Sequence, residues 1–558
     1  MIARARALLV LGIAMAGSVG LLIPRSAGAE ATAGAPRVFV VLVPGVTLDG
    51  LLHVPEIEAL ARAGGAGWMS PELDAGTLRN ITILRAPSGD RLVLERVLGK
   101  IRPDVASTSE GPSMVVVAAT SGSAAMIAAK DDLRAIVVAS GSGGDLFAAT
   151  GVLRTVTSDS TRRTGVVAAA DVEATIDTFL HRSTSGDAGH PIRVVDEPPP
   201  FELHERYLAM RRMTVPVQTA AALYVTVAGL FALVVLALGR RAPTALGVAA
   251  SGAAISVGPL AAALLAAGHL PTLSYASVVP FVVVLTAAVA GLVLLGATRE
   301  LLHPVLPLGI ALLAFLFVEN ALGWTAALTP FLGGAELDGG RFFGLPNVFI
   351  GLLLGASLYA ASRLPAVVGF TILVGAALVA GLPTAGANLG GAVTLFSAAG
   401  MWLPLRMRGR LGWRELAFAI AVVIVGTAVV LLAHRLSSLP THVTRFEETE
   451  GARGAWSTFV DRLGVGWRLI EQNPFALVPV VGVVATLAAV LRPPAAIGRS
   501  LARHPEWRDA LLVLLLASVV AYVVNDSGPA ACGVGFGMAL GGLLYVSVAE
   551  RTWKMAPA

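Results

Sequence analysis

The chain has 558 residues, 55% of them hydrophobic and 14% charged, with a mean hydropathy of +0.76. That composition excludes an ordinary soluble globular protein and describes a polytopic membrane protein. The net charge of +5 comes mainly from arginines in short loops between apolar runs, where they set topology, so it does not imply nucleic acid; the single cysteine, Cys532, excludes an intrachain disulfide and a thiolate zinc site.

In chain order, Arg4 and Arg6 precede an apolar stretch from Ala7 to Ile23, and Ala27-Gly28-Ala29 comes next as a small-residue cleavage pattern. Residues 1–29 therefore read as a signal peptide cut after Ala29, with an uncut anchor as the alternative, and the domain beyond residue 29 is exported in either case. Residues 30–182 read as an α/β domain. "RVFVVLV" (37–43), "MVVVAAT" (114–120) and "AIVVASG" (135–141) are continuous β-type runs, and residues 56–70 read as a helix ended by Gly64 and Gly65. Residues 171–182 are a second helix, with Val172, Ile176, Phe179 and Leu180 on its apolar face. Strands alternating with helices predict a mostly parallel sheet covered by helices, with ligands beyond the strand C-termini. The Pro-rich, charged stretch 183–206 reads as a stiff connector, and 183–213 is taken as the link to the membrane.

A bilayer core needs about 20 apolar residues per helix. Eleven segments qualify: 215–238, 243–267, 275–297, 303–322, 342–362, 366–383, 387–405, 415–434, 475–491, 509–525 and 529–549. They form a transmembrane domain over 214–549, with a long outer loop at 435–474 and a tail at 550–558. With 30–213 outside, every inner loop is basic, from Arg240 and Arg241 through Arg299, Arg363, Arg406, Arg408, Arg410, Arg414, Arg492, Arg499, Arg503 and Arg508 to Arg551 and Lys554.

"VFVVLVPGVTLDGLLHVPEIEALARAGGAGWMSP" and "TSDSTRRTGVVAAADVEATIDTFL" together resemble the alkaline phosphatase and sulfatase superfamily. There a strand ends in a metal-binding Asp, and an S-D-H-G metal loop precedes the last helix. The resemblance implies a phosphatase-like fold, while Pro44 stands in place of the Asp and Ser158-Asp159-Ser160-Thr161 lacks the His. His53, His181, His190 and His204 do not restore the pattern, and Asp49 and Asp159 are too few for a two-metal centre. The expectation is a truncated, degenerate, non-catalytic domain with no metal and no cofactor. The membrane half is similar to the multi-helix region that lies beyond such domains in uncharacterised bacterial envelope proteins, on "GRFFGLPN", "GANLGG" and "NDSGP".

Five polar clusters fall on the outer side of this topology. They are Glu319-Asn320; Glu336, Asp338, Arg341 and Asn347; Asn388 in a Gly/Pro-rich break; "THVTRFEETE" at 441–450; and Asn525-Asp526. Ionisable groups near membrane depth face a cavity or a partner by default, and broken apolar segments line sites. His442, Arg445 and Glu448 share a face if 441–450 is helical. Arg341 and Arg445 are the candidate anion ligands, with Asn347, Asn388 and Asn525 beside them, and His442, Asp526, Glu319 and Asp338 are the acid–base candidates. The plainer readings are helix caps at Asn525 and Glu319, a turn at 337–340 and close helix packing at 381–391. Trp456, Phe459, Leu463, Trp467 and Ile470 make 451–472 an amphipathic surface helix. The inner halves of the runs are nearly free of charge, which favours a one-sided site. Together these features predict a multi-pass protein of a bacterial plasma membrane with its C-terminus in the cytoplasm. Membrane lipids and a lipid-linked phosphate or glycan are its partners. A transporter or flippase, or a non-catalytic scaffold or receptor, are the alternatives, and the reaction is left open.

Overall fold

The computed structural model describes residues 37–44, 46–70, 81–86, 91–106, 113–120, 134–141, 146, 149, 152–182, 189–298, 305–321, 331, 344–437, 477–525 and 530–552. They form an N-terminal mixed sheet with its helices and a larger body of apolar helices.

The N-terminal elements are β1 (Arg37–Pro44), α1 (Leu48–Leu52), α2 (Pro55–Ala63), β2 (Gly65–Ser70), β3 (Thr82–Arg85), α3 (Arg91–Ala106), β4 (Ser113–Thr120), β5 (Arg134–Gly141), β6 (Thr155–Thr157), β7 (Val166–Ala168), α4 (Ala169–Phe179) and β8 (Arg193–Val195). The strand order is β3-β1-β4-β5-β2-β6-β8, with β7 also on β2. Alternation along β1 explains its all-apolar run. Phe39, Val41 and Val43 enter a core with Leu51, Ile57, Leu60 and Leu94, under α1 to α3. Val38, Val40 and Leu42 enter a second core with Val172 and Ile176 of α4 on the other face. Burying each of these side chains contributes roughly 1.5–3 kcal/mol before chain entropy is counted.

Two expectations are corrected by this architecture. The sheet is mixed: β1 lies parallel to β3 and β4, but β5 is antiparallel to both β4 and β2. The helix expected from residue 56 and ended by Gly64 and Gly65 is α2, which stops at Ala63 and is followed by β2. Pro55 at the first position, Glu56 and Glu58 in the first turn and Arg62 in the last turn suit a short helix. Gly64 then lets the chain pass close to β5, since a Cβ there would lie 1.9 Å from the Val138 carbonyl oxygen. Within the stretch expected to be a connector, residues 189–206 supply β8 and the first turns of the next helix.

That helix is α5 (Glu202–Leu238), 37 residues and about 55 Å long. Tyr207 sits in the N-terminal core, while Met210, Met213 and Val217 pack with Leu260 and Leu264 in the helical body. The remaining helices are α6 (Thr244–Ile255), α7 (Val257–Ala267), α8 (Tyr275–Thr298), α9 (Val305–Ala321), α10 (Asn347–Ser362), α11 (Ala366–Gly381), α12 (Leu389–Arg408), α13 (Trp413–Leu436), α14 (Leu477–Leu491), α15 (Ala495–Arg503), α16 (Pro505–Val524) and α17 (Ala530–Thr552). Five helices are long and apolar enough to cross a membrane: Glu205–Arg241, Tyr275–Gly296, Trp413–Leu436, Pro505–Val524 and Cys532–Thr552. Two bent pairs, α6 with α7 and α14 with α15, raise the number to seven among the described residues. Helices α9 to α11 are apolar but shorter. α17 is the central element, packed against α5, α6, α10 and α14 to α16. Gly535 and Gly541 allow this, since a Cβ would lie 2.8 Å from the Gly351 oxygen and 2.3 Å from the Ala254 oxygen respectively. Leu230 and Val234 on α5, Val283 and Val284 on α8, and Ile424 and Val425 on α13 are exposed, as a lipid-facing surface requires.

Candidate functional site

The N-terminal domain meets the helical body at the α11–α12 turn. After α11 the chain reverses through residues 382–388, where Gly386 N–H donates to the Val379 oxygen (2.8 Å) and Asn388 N–H to the Ala380 oxygen (2.8 Å). Ala387 takes a φ of 45° there. The segment entering α10 is stitched to this turn, with Leu345 N–H donating to the Gly386 oxygen at 2.8 Å. Gly344 makes the approach possible: its φ is 88°, and a Cβ would lie 2.3 Å from the Gly386 oxygen.

Asn388 is the hub. Its Nδ2 donates to the Leu345 oxygen and to Asn347 Oδ1, both at 2.8 Å, and its Oδ1 accepts Gly391 N–H at 2.8 Å as the N-cap of α12. Asn525, at the end of α16, donates to Thr394 Oγ1 (3.4 Å) and the Ala521 oxygen (3.2 Å). Both asparagines are buried. The structure thus gathers Asn347, Asn388 and Asn525 around the first turns of α12. Glu319 lies in α9. Asp338, Arg341, His442, Arg445, Asp526 and the 451–472 segment lie outside the described residues.

His434 was not foreseen. It sits in the last turn of α13, 1% exposed, and its Nε2 donates to the Gly381 oxygen at 2.9 Å. A lone histidine at the end of an apolar run was the available signal.

Beside the asparagines is a cavity of about 290 Å³ lined by Leu313, Phe317, Leu345, Phe349, Gly375 and Val379. From the N-terminal domain, Arg162, at φ 53°, donates to the Pro383 oxygen at 2.8 Å. Burial holds this guanidinium below its ordinary pKa, against the opposing pull of Asp159.

The loop 158–161 is a hydrogen-bond knot. Asp171 is fully buried, accepting from Ser158 Oγ (2.5 Å), Ala168 N–H (2.7 Å) and His190 N–H (2.8 Å). Asp159 is paired with Arg193 at the surface, and Asp49 faces His53 at 3.5 Å. Among the described residues no group of three or more His, Cys, Asp or Glu side chains is arranged to hold a metal ion.

No protein-family model, curated protein or solved structure matches this chain. The molecule's own geometry therefore carries the functional reading.

The opposite end of the helical body is ionic: arginines of the loops expected to be basic meet carboxylate partners that the sequence pattern did not pick out. Arg363 pairs with Glu506, Arg406 with Asp509 (3.0 Å) and Arg408 with Glu415 (2.6 Å). His504, between α15 and α16, holds Glu550 through Nε2 (3.0 Å) and Glu506 through Nδ1 (3.4 Å). The hydrogen bond to Glu506, then Glu550, raises the His504 pKa against partial burial. A raised folded-state pKa contributes stability that is fully present below the unfolded value of about 6.5 and fades as pH rises through the folded one. The melting temperature of the purified protein is expected to fall across that window, and His504→Gln to flatten the profile. Superimposable profiles would remove His504 as the cause.

Proposed function

We propose that this chain is a multi-pass protein of the bacterial plasma membrane that binds an anionic, lipid-linked phosphate or glycan at the outer mouth of its helical bundle. On this reading all eleven apolar segments cross or enter the bilayer. The N-terminal domain is extracytoplasmic, phosphatase-like and non-catalytic, and the C-terminus is cytoplasmic. The observation that carries the reading is the shared wall of the 290 Å³ apolar cavity and the asparagine cluster: Leu345 lines the first and accepts from Asn388 in the second. An acyl or prenyl tail suits the cavity, and amide groups suit a polar head beside it. Arg341 and Arg445 then bind the anion, and His442, Asp526, Glu319 and Asp338 supply proton transfer.

Occupancy tests this. A structure determined in lipid nanodiscs with a polyprenyl phosphate is expected to show elongated density between Phe349 and Gly375 that ends near Asn347. A cavity that stays empty with the probe in excess would remove the reading.

A receptor or scaffold is the second reading, supported by the Arg162 contact with the Pro383 carbonyl. It links the N-terminal domain to the turn that Asn388 closes, so a partner on that domain would bear on the bundle mouth.

A further inference from the structure

At the end of the bundle remote from the N-terminal domain, α5, α15 and α17 enclose a cavity of about 700 Å³. Five guanidinium groups line it, from Arg240, Arg241, Arg499, Arg503 and Arg551, against one carboxylate, Glu550. That carboxylate is already engaged by Ser500 Oγ (2.8 Å), by His504 Nε2 (3.0 Å) and by Arg503 (3.6 Å). Among the described residues no carboxylate lies within ion-pair distance of Arg240, Arg241, Arg499 or Arg551. Like charges around one cavity repel, and an anion between them relieves that repulsion.

The backbone supports the placement of these groups. Gly239, with φ 58°, turns the chain out of α5, and a Cβ there would lie 2.4 Å from Arg551 Nε. The guanidinium of Arg551 therefore lies against the turn that presents Arg240 and Arg241. On the α5 side an apolar edge adjoins it: Leu238 lines the cavity, and Leu230, Val234 and Leu238, spaced four residues apart along one face of α5, are all exposed.

We propose that this cavity binds a phosphate group, and that its natural source is the headgroup of an acidic phospholipid in the adjoining leaflet. Arginine forks match phosphate oxygens in pairs, and basic pockets between membrane helices take such headgroups. The exposed face of α5 offers the acyl chains a path from the rim. This site shares no residue with the outer mouth.

The test uses the full chain purified in detergent, with tetraoleoyl cardiolipin, phosphatidylcholine or inorganic phosphate added separately. Native mass spectrometry counts retained lipid, and thermal unfolding reads stabilisation. Cardiolipin is expected to be retained and to raise the melting temperature, with phosphatidylcholine doing neither. The Arg499→Gln, Arg551→Gln double variant is expected to retain at least fivefold less cardiolipin, and the corresponding double lysine variant to recover most of it. The Arg410→Gln, Arg492→Gln pair lies outside the cavity and is expected to behave as wild type. Stabilisation by inorganic phosphate alone, lost in the glutamine variant, supports the phosphate site and assigns it to the free anion. Equal retention in wild type and the Arg499/Arg551 variant, an equal loss in the Arg410/Arg492 control, or no effect of either probe on wild type overturns it.

Discussion

Replacing Asn388 with alanine is expected to destabilise the helical body by about 3 kcal/mol, one of the two largest single-residue effects in the protein. The α12 cap contributes roughly 1 kcal/mol. The Leu345 carbonyl and the Asn347 oxygen also each lose a hydrogen bond, and each such loss costs about 1 kcal/mol. Asn388→Ser keeps an acceptor for Gly391 N–H, so it is expected to recover the capping share and no more. Melting temperatures of the two variants in detergent check this. Alanine melting like wild type would mean that the α11–α12 turn is held by its backbone bonds alone.

The second large effect is at Asp171. Asp171→Ala removes the acceptor of the Ala168 N–H and breaks the bonds from the Ser158 hydroxyl and the His190 N–H, which keep only Thr161 Oγ1 (3.3 Å) and Ser160 Oγ (3.1 Å), and about 3 kcal/mol is the expected cost. Loss of folding should be confined to the N-terminal domain and visible as faster proteolysis there. Asp171→Asn retains one acceptor oxygen and is expected to lie between. A metal-ligand role for Asp171 predicts something else, a melting temperature of the wild type that falls on chelation. The hydrogen-bond knot predicts that chelation leaves it unchanged.

Much of the N-terminal fold was legible because buried strands declare themselves. β1, β4 and β5 each fall within a residue of their apolar runs. β2 was not legible. "GAGWMS" has neither alternation nor branched side chains, and its place comes from tertiary closeness, with Gly67 pressed against Val156 and the Gly165 carbonyl. The direction of β5 was equally hidden, since "AIVVASG" reads as a buried strand in either sense and only its pairing with β2 and β4 orients it.

At the bundle mouth, the Gly/Pro interruptions singled out Asn388, and the polar cluster 336–347 included Asn347. Their mutual hydrogen bond spans 41 residues of sequence, beyond the reach of any local pattern. The same limit hid the far-end network: the arginines of its loops were legible, but their carboxylate partners Glu506, Asp509 and Glu550 were not. Their buried pairing depends on how α10, α12, α15, α16 and α17 come together.

The most direct measurement of the central claim is the affinity of a polyprenyl phosphate for the wild-type chain and for Gly375→Phe. Gly375 lines the 290 Å³ cavity, and a Cβ there meets nothing within 4 Å, so a phenylalanine ring can occupy the space without moving the backbone. Gly296→Phe, at an equally open position on α8, is the control. At least a tenfold loss is expected for Gly375→Phe and wild-type affinity for Gly296→Phe. Equal affinity in all three proteins, or no binding to any of them, would contradict it.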